Sequence, residues 1–335
     1  MKKIIIAIVA IVIVVAVAYF GLNHITKSAP VATNPDPIKI GVMIYPDSGA
    51  FYIAQEKGFF KKYGVNVELV DMPVDNVLGA LQANQVQIAT PMTSDMMTIV
   101  ADAGINAKQI MIPSSSDGAD GLLVSNDIQK ISDLKGKKVY LTLGYPEHFF
   151  FRYLAEQNGL LAKDVELVNL NTEEVGSSFA AGKINAGVTW EPWLSKAAQE
   201  SKGGKILLTS HDVPGVMVCT VAARTDLIEN RREDIKKIML AYFDAARWWD
   251  NNINEGNQIA ARHFNLTIEE FAPLKNKIKL ANLQYNLDKF NKNLPLNIYE
   301  LTNKASDYYF QDGIIKSKVT GDQVTDDSLL QEIHQ

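Results

Sequence analysis

The chain has 335 residues, 47% of them hydrophobic, and a formal charge of -5. That length suits about two domains with sizeable cores once a targeting segment is set aside, and the charge, which falls to -7 without Lys2 and Lys3, offers no basic face for nucleic acid. A single cysteine, Cys219, excludes an internal disulfide and a CxxC metal pair; with no histidine ligand spacing and no Walker loop, GxGxxG or GxSxG, neither metal nor cofactor is expected.

Residues 4 to 20, IIIAIVAIVIVVAVAYF, form an unbroken apolar run behind Met1, Lys2 and Lys3. Positive charge on the amino side of such a run marks export, so residues 1–27 are assigned as a signal or membrane anchor and the protein as extracytoplasmic. The small-x-small site Ala16-Val17-Ala18 lies inside the run, which is nearly long enough to span a bilayer, and this favours a retained anchor. No cysteine follows to carry a lipid. Residues 28–37, SAPVATNPDP, read as a flexible tether.

From Ile38 the pattern alternates strand and helix. Strands are predicted at Ile38–Met43, Val65–Val70, near Ile88 and at Gln109–Ile112, with helices at Ala50–Tyr63, ending at Gly64, and at about Val74–Asn84 and Ser94–Ala103. This is an α/β chain with a largely parallel sheet.

Between Lys137 and Trp193 two apolar, β-branched runs each stop abruptly and open a helix on proline. Val139–Leu143 leads to Gly144, Tyr145 and Pro146; Ala186–Thr189 leads to Trp190, Glu191 and Pro192. Proline suits a first helical turn because its φ is already helical and its missing N–H had no partner there. Two helix N-termini are therefore expected at the carboxyl ends of neighbouring strands, where open α/β sheets hold ligands, and such termini favour anions. Tyr145 is no capping residue, which leaves N–H groups for a ligand oxygen, for water, or for Glu147 folding back. Further on, the Arg232–Trp249 helix has Ile235, Ile238, Met239, Tyr242, Ala246 and Trp249 on one face, and Tyr299–Phe310 and the tail after Thr320 read as outer helices.

Three phrases carry a resemblance: IKIGVMIYPDSGAFYIAQEKGFFKKYGVNVELV, with Gly58–Gly64 as its GFFKKYG; SSDGADGLLV at Ser115–Val124; and the run from DLKGKKVYLTLG to AAGKINAGVTWEPWLSKA, Asp133–Ala197. They resemble the extracytoplasmic substrate-binding proteins of ABC importers for nitrate, sulfonates, taurine and related solutes. The resemblance implies a two-lobed α/β periplasmic-binding-protein (type II) fold, with lobe 1 at 38–124 and 216–335 and lobe 2 at 125–215. Crossings should fall near Leu122–Asn126 and Thr209–Val216. It also implies a monomeric receptor, not an enzyme, that passes a small solute to the permease subunits of its importer. Cofactor-biosynthesis enzymes and pyrimidine-precursor binders share the architecture, but the synthases carry a cysteine-rich motif that Cys219 alone does not supply.

Ligand contacts are expected where strands end. In the first lobe these are Ser48, Gly49 and Tyr52 in YPDSGAFY, Thr93 and Ser94 in TPMTSD, and Asp120 in SSSDGAD, the plainer readings being a tight turn at Pro46–Gly49, a cap at Ser94 and a hinge role for Asp117 and Asp120. In the second lobe they are Tyr145 and His148, then Trp190 and Glu191, with Trp193 expected to pack inward. A tryptophan beside a carboxylate can cage an ammonium group. Glu191 can equally complement the helix opened by Pro192. The expected solute carries an acidic group, sulfonate before carboxylate, at the helix starts near Pro146, Ala50 and Ser94. An aminosulfonate zwitterion turned toward Trp190 and Glu191 would relieve the excess of negative charge.

Overall fold

Twelve strands order the residues described by the computed structural model, which are 36–334 apart from Ile44, Val74 and Asp75. The export segment expected at 1–27 and nearly all of the tether lie outside the described residues. Among the described residues no helix is long and apolar enough to cross a membrane.

The first sheet is built from β1 (Ile38–Val42), β2 (Val67–Asp71), β3 (Ile88–Thr93) and β4 (Ala107–Met111). After β5 (Ser114–Ser116), the second sheet takes β6 (Asp120–Ser125), β7 (Lys138–Leu141), β8 (Glu166–Asn169), β9 (Ala186–Trp190) and β10 (Gly204–Thr209). The chain then returns as β11 (Cys219–Arg224), and β12 (Ile278–Leu280) follows later. The orders are β2-β1-β3-β11-β4 and β8-β7-β9-β6-β10. Each sheet is thus a parallel core with one antiparallel strand inserted next to its edge, β11 in the first and β6 in the second. Ile40 lies opposite both Leu69 and Ile88, so β1 has apolar partners on both edges, while Lys39 pairs with Glu68 at 3.6 Å on the exposed side.

The first crossing comes earlier than expected. Leu122, Leu123 and Val124 are fully buried in the middle of β6, paired with β9 on one side and β10 on the other, so the chain has already changed sheet before Asp120. An apolar run flanked by partners on both edges belongs inside a sheet. The return lies between β10 and β11, over the expected Thr209–Val216. Beside the crossings, β5 pairs with β12 and Ser115 bridges Val218.

The predicted Ala50–Tyr63 helix is two helices, Gly49–Glu56 and Phe59–Tyr63, broken at Gly58, whose φ of 74° no helix accommodates; Gly64 ends the second at φ 67°. The Arg232–Asn251 helix buries the whole predicted stripe and packs on both. Its Trp249 ring lies so close to Gly49 that an added Cβ would sit 2.6 Å from it. The Ile298–Gln311 helix is not merely an outer layer, because it contacts both the Met96–Asp102 helix beside the first sheet and the Pro146–Gln157 helix beside the second.

Candidate functional site

The strand ends of both sheets and the returning crossing enclose a cavity of about 680 Å³. Tyr45 follows β1, Asp71 ends β2 and Thr93 ends β3; Thr142, Asn171 and Trp190 stand at the ends of β7, β8 and β9. Met217, Val218 and Cys219 form part of the wall as the chain re-enters the first sheet. This is the placement that parallel α/β sheets impose on ligands.

Three helices start at the wall, and the last of them, Trp193–Glu200, has Pro192 in its cap position rather than at the first helical position expected for it. The first is Pro146–Gln157, opened by Pro146 behind an extended Tyr145 that supplies no side-chain cap, as the sequence predicts. Its first turn carries the Glu147 carboxylate, whose Oε1 accepts from Trp190 Nε1 at 3.0 Å and from the Thr172 hydroxyl. Glu147 is 1% exposed and its Oε2 has no hydrogen-bond partner. The second is Thr172–Ala180, whose cap Asn171 accepts from the Glu174 amide at 2.9 Å.

Of the expected contacts, Thr93, Asp120, Tyr145 and Trp190 line the cavity. Trp193, expected to pack inward, lines it too and meets Trp190 edge-on at 4.8 Å, while Tyr45 meets Trp190 from the first lobe at 6.4 Å.

Ser48, Gly49, Tyr52, Ser94, His148 and Glu191 do not line it. Ser48 Oγ donates to the Met43 carbonyl at 2.8 Å, and Gly49 is held under Trp249. Tyr52 stands behind the wall: its hydroxyl donates to Asp71 and its ring stacks on His263 at 3.9 Å. Ser94 is buried ahead of a helix that begins only at Met96, with Asp95 in the cap position. The His148 ring points the other way along its helix; Nδ1 accepts from the Gly144 amide at 3.2 Å and Nε2 pairs with Asp312 at 2.7 Å. Burial pulls that imidazole below its ordinary value, against the Asp312 hydrogen bond. Glu191 takes the plainer role weighed for it, accepting from Ser195 N at 3.1 Å and Ser195 Oγ at 2.6 Å and pairing with Lys277. The carboxylate beside Trp190 is Glu147 instead.

Asp117 ties the crossings together. Its carboxylate joins His211 Nδ1 at 2.7 Å, on the returning crossing, to Lys279 at 2.9 Å on β12, and the Lys279 hydrogen bond holds it below the ordinary carboxylate range despite some burial. Ser210 Oγ accepts from the Gly118 amide at 2.7 Å and shares a 2.6 Å hydrogen bond with Ser116 Oγ, so both crossings are stitched together.

Asp71, Thr142, Asn171, Thr172, Glu173 and the Met217–Cys219 segment were not picked out from the sequence. Asn171 had a signal, since Asn followed three residues later by Glu174 marks a helix start directly after a strand.

The electrostatics run one way. Asp71, Asp120, Glu147 and Glu173 line the cavity, and no Lys, Arg or His is among its described lining residues. Burial pushes Glu147 up to about 7 and Asp120 up to about 6, and it raises the Cys219 thiol well above its usual value. Below the floor, Asp47 is pushed up to about 7 by burial and accepts from Ser114 Oγ at 2.6 Å. Such a site can hold a solute by shape, by ring faces and by acceptors for its N–H groups. Among the described residues no group of His, Cys, Asp and Glu is arranged to hold a metal.

A Bacillus subtilis (strain 168) protein named for binding aliphatic sulfonates is 24% identical over 302 residues, which is 88% of this chain and 87% of that one. The bicarbonate-binding protein CmpA of Synechococcus sp. is 23% identical over 279 residues, 73% of this chain and 62% of its own. Among solved structures, the periplasmic aliphatic sulphonate binding protein SsuA from Escherichia coli superposes with a TM-score of 0.73 at 18% identity, over 87% of this chain and 92% of that one. That likeness establishes the periplasmic-binding-protein fold, in agreement with the two sheets and their inserted strands. Residues 45–252, which hold the strand-end loops and both crossings, match the NMT1/THI5-like family model, and to that family the chain belongs.

Proposed function

We propose that the protein is an extracytoplasmic receptor that encloses one small solute between its two sheets and presents it to the membrane subunits of an ABC importer, without transforming it. The observation that carries this reading is the cavity itself: loops from both sheets and one crossing share a single wall, so a bound solute touches both halves and favours the arrangement that brings them together. The named roles of the relatives support it. The acidic group expected of the solute has less support here, because the helix start at Pro146 carries the buried carboxylate of Glu147 and the described lining holds four acidic residues and no basic one.

Native mass spectrometry of the purified full chain, followed by denaturation and analysis of what is released, tests the reading. A solute recovered unchanged that raises the melting temperature when added back, in proportion to the logarithm of its concentration above Kd, is the expected result. Its conversion into a product refutes the receptor role.

A further inference from the structure

Two described lining groups carry a buried side-chain oxygen without a hydrogen-bond partner, the Thr93 hydroxyl and the Glu147 carboxyl, and of these only Glu147 can bear a charge. Oε1 is satisfied by Thr172 and Trp190, whereas Oε2 is buried without a partner, an arrangement that is costly for the ionised carboxylate unless something arrives to donate. Asp120 stands close enough for its charge to raise the Glu147 carboxyl further. Around these two carboxylates the cavity offers ring faces and apolar side chains and no countercharge.

We infer, resting on the receptor reading, that the solute is held by a protonated amine or amidine whose N–H groups pair with Glu147 and Asp120 and whose carbon body lies against Trp190, Tyr45 and Tyr145. Opposite charges in a desolvated site attract strongly, and ring faces add to the attraction for a cation. An anion placed there meets several carboxylates and no basic residue. A quaternary ammonium brings charge but no N–H for Oε2. Any acidic group on the solute is a secondary feature, which reverses the order of importance read from the sequence.

The groups facing the pair are neutral or acidic. Glu147 faces Thr172 from one neighbouring helix, Trp190 from β9, Asp120 from β6 and Tyr309 from the Ile298–Gln311 helix. Asp120 faces Ser116, with Asp95 and Glu191 near enough to raise it. On the helix of Glu147, His148 and Arg152 are engaged by Asp312. In the empty protein burial keeps Glu147 protonated up to about 7 and Asp120 up to about 6. A cation pairs best with the ionised carboxylates, so its affinity rises with pH across that interval.

The test is a titration of the full chain in detergent, followed by calorimetry, with four probes of similar small size: benzylamine, benzyltrimethylammonium, phenylmethanesulfonate and 2-aminoethanesulfonate. Benzylamine should bind at least tenfold tighter than the quaternary and sulfonate probes, and tighter at pH 8 than at pH 5.5 by at least tenfold. Glu147→Gln and Asp120→Asn should each weaken it at least tenfold, and Glu191→Gln should change it less than twofold. The wild-type pH profile keeps the test decisive if a variant does not fold. Phenylmethanesulfonate binding more tightly than benzylamine, a flat or inverted pH profile, or no binding of benzylamine overturns the inference. Recovery of an intact anionic solute would overturn it while leaving the receptor reading standing, and turnover of a bound probe would remove the receptor reading.

Discussion

Replacing Asp312 by alanine tests whether the Ile298–Gln311 helix ties the two halves together. Asp312 caps the Ile298–Gln311 helix and accepts from Arg152 Nε at 2.6 Å and Nη2 at 2.7 Å, while His148 Nε2 lies 2.7 Å away. Side-chain exposure is 13% for Asp312, 8% for Arg152 and 0% for His148, so solvent cannot replace the lost partner. Removing one member of a buried pair strands the other, at about 3–5 kcal/mol. At about 2 °C per kcal/mol for a chain of this size, that is a fall in melting temperature of roughly 6–10 °C. Adding Arg152→Leu to Asp312→Ala removes the stranded guanidinium, so the double variant should be more stable than the sum of the singles by at least ~1 kcal/mol. Urea unfolding of the four proteins at pH 7 measures this. A loss below ~1 kcal/mol for Asp312→Ala, or strict additivity, refutes the reasoning. The carboxyl also sets a pH limit: burial pushes it up, but the His148 and Arg152 hydrogen bonds outweigh this and hold it below the ordinary range. Its stabilisation is therefore present above ordinary carboxylate values and lost as pH falls through the lowered one.

Glu147 and Asp120 act with the opposite sign: because folding raises their values, their contribution is complete below the unfolded carboxylate range and disappears as pH rises through about 6 and 7. The empty protein should accordingly unfold more easily at pH 8 than at pH 5, by up to about 3 kcal/mol for Glu147 at about 1.4 kcal/mol per unit, and Glu147→Gln should flatten that slope in urea titrations; a slope of the opposite sign contradicts the burial of these groups. Gly49→Ala should cost about 1–3 kcal/mol through overpacking against Trp249, with solute affinity little changed, whereas a stability equal to the parent would show that the ring is free to move.

The fold was largely legible because its signals are local. Apolar β-branched runs, Gly64 and Pro146 each impose a strand, a helix end or a helix start through their own backbone chemistry, and all three stand as predicted. The site was only partly legible, since strand ends show which loops face the cleft but not which way a side chain turns within a loop. Glu147 and Glu191 illustrate this: each stands directly next to a proline that follows a strand, and only the distant Thr172, Trp190 and Lys277 decide which carboxylate faces the cavity. His148 was drawn away by Asp312, 164 residues later, a partner that no local pattern announces. The boundary misplaced at Leu122–Asn126 has the same origin, because a strand inserted between two others looks, residue by residue, like any buried run.

That inserted strand has a further consequence for how the chain acquires its shape. The second sheet is assembled from one continuous stretch, β6 to β10, and all of its pairings are available once Thr209 has emerged. The first sheet is divided: β3 and β4 do not touch until β11 arrives between them, after the entire second sheet has been passed. A polypeptide that enters from its amino end thus completes its later half first. Until Cys219–Arg224 is available, β3 and β4 present open edges, the kind of surface that pairs with the wrong neighbour when a chain is held too long half-made. Contacts closed over such long intervals form slowly, so the rate-determining event in folding should be the docking of β11 rather than the formation of either sheet alone.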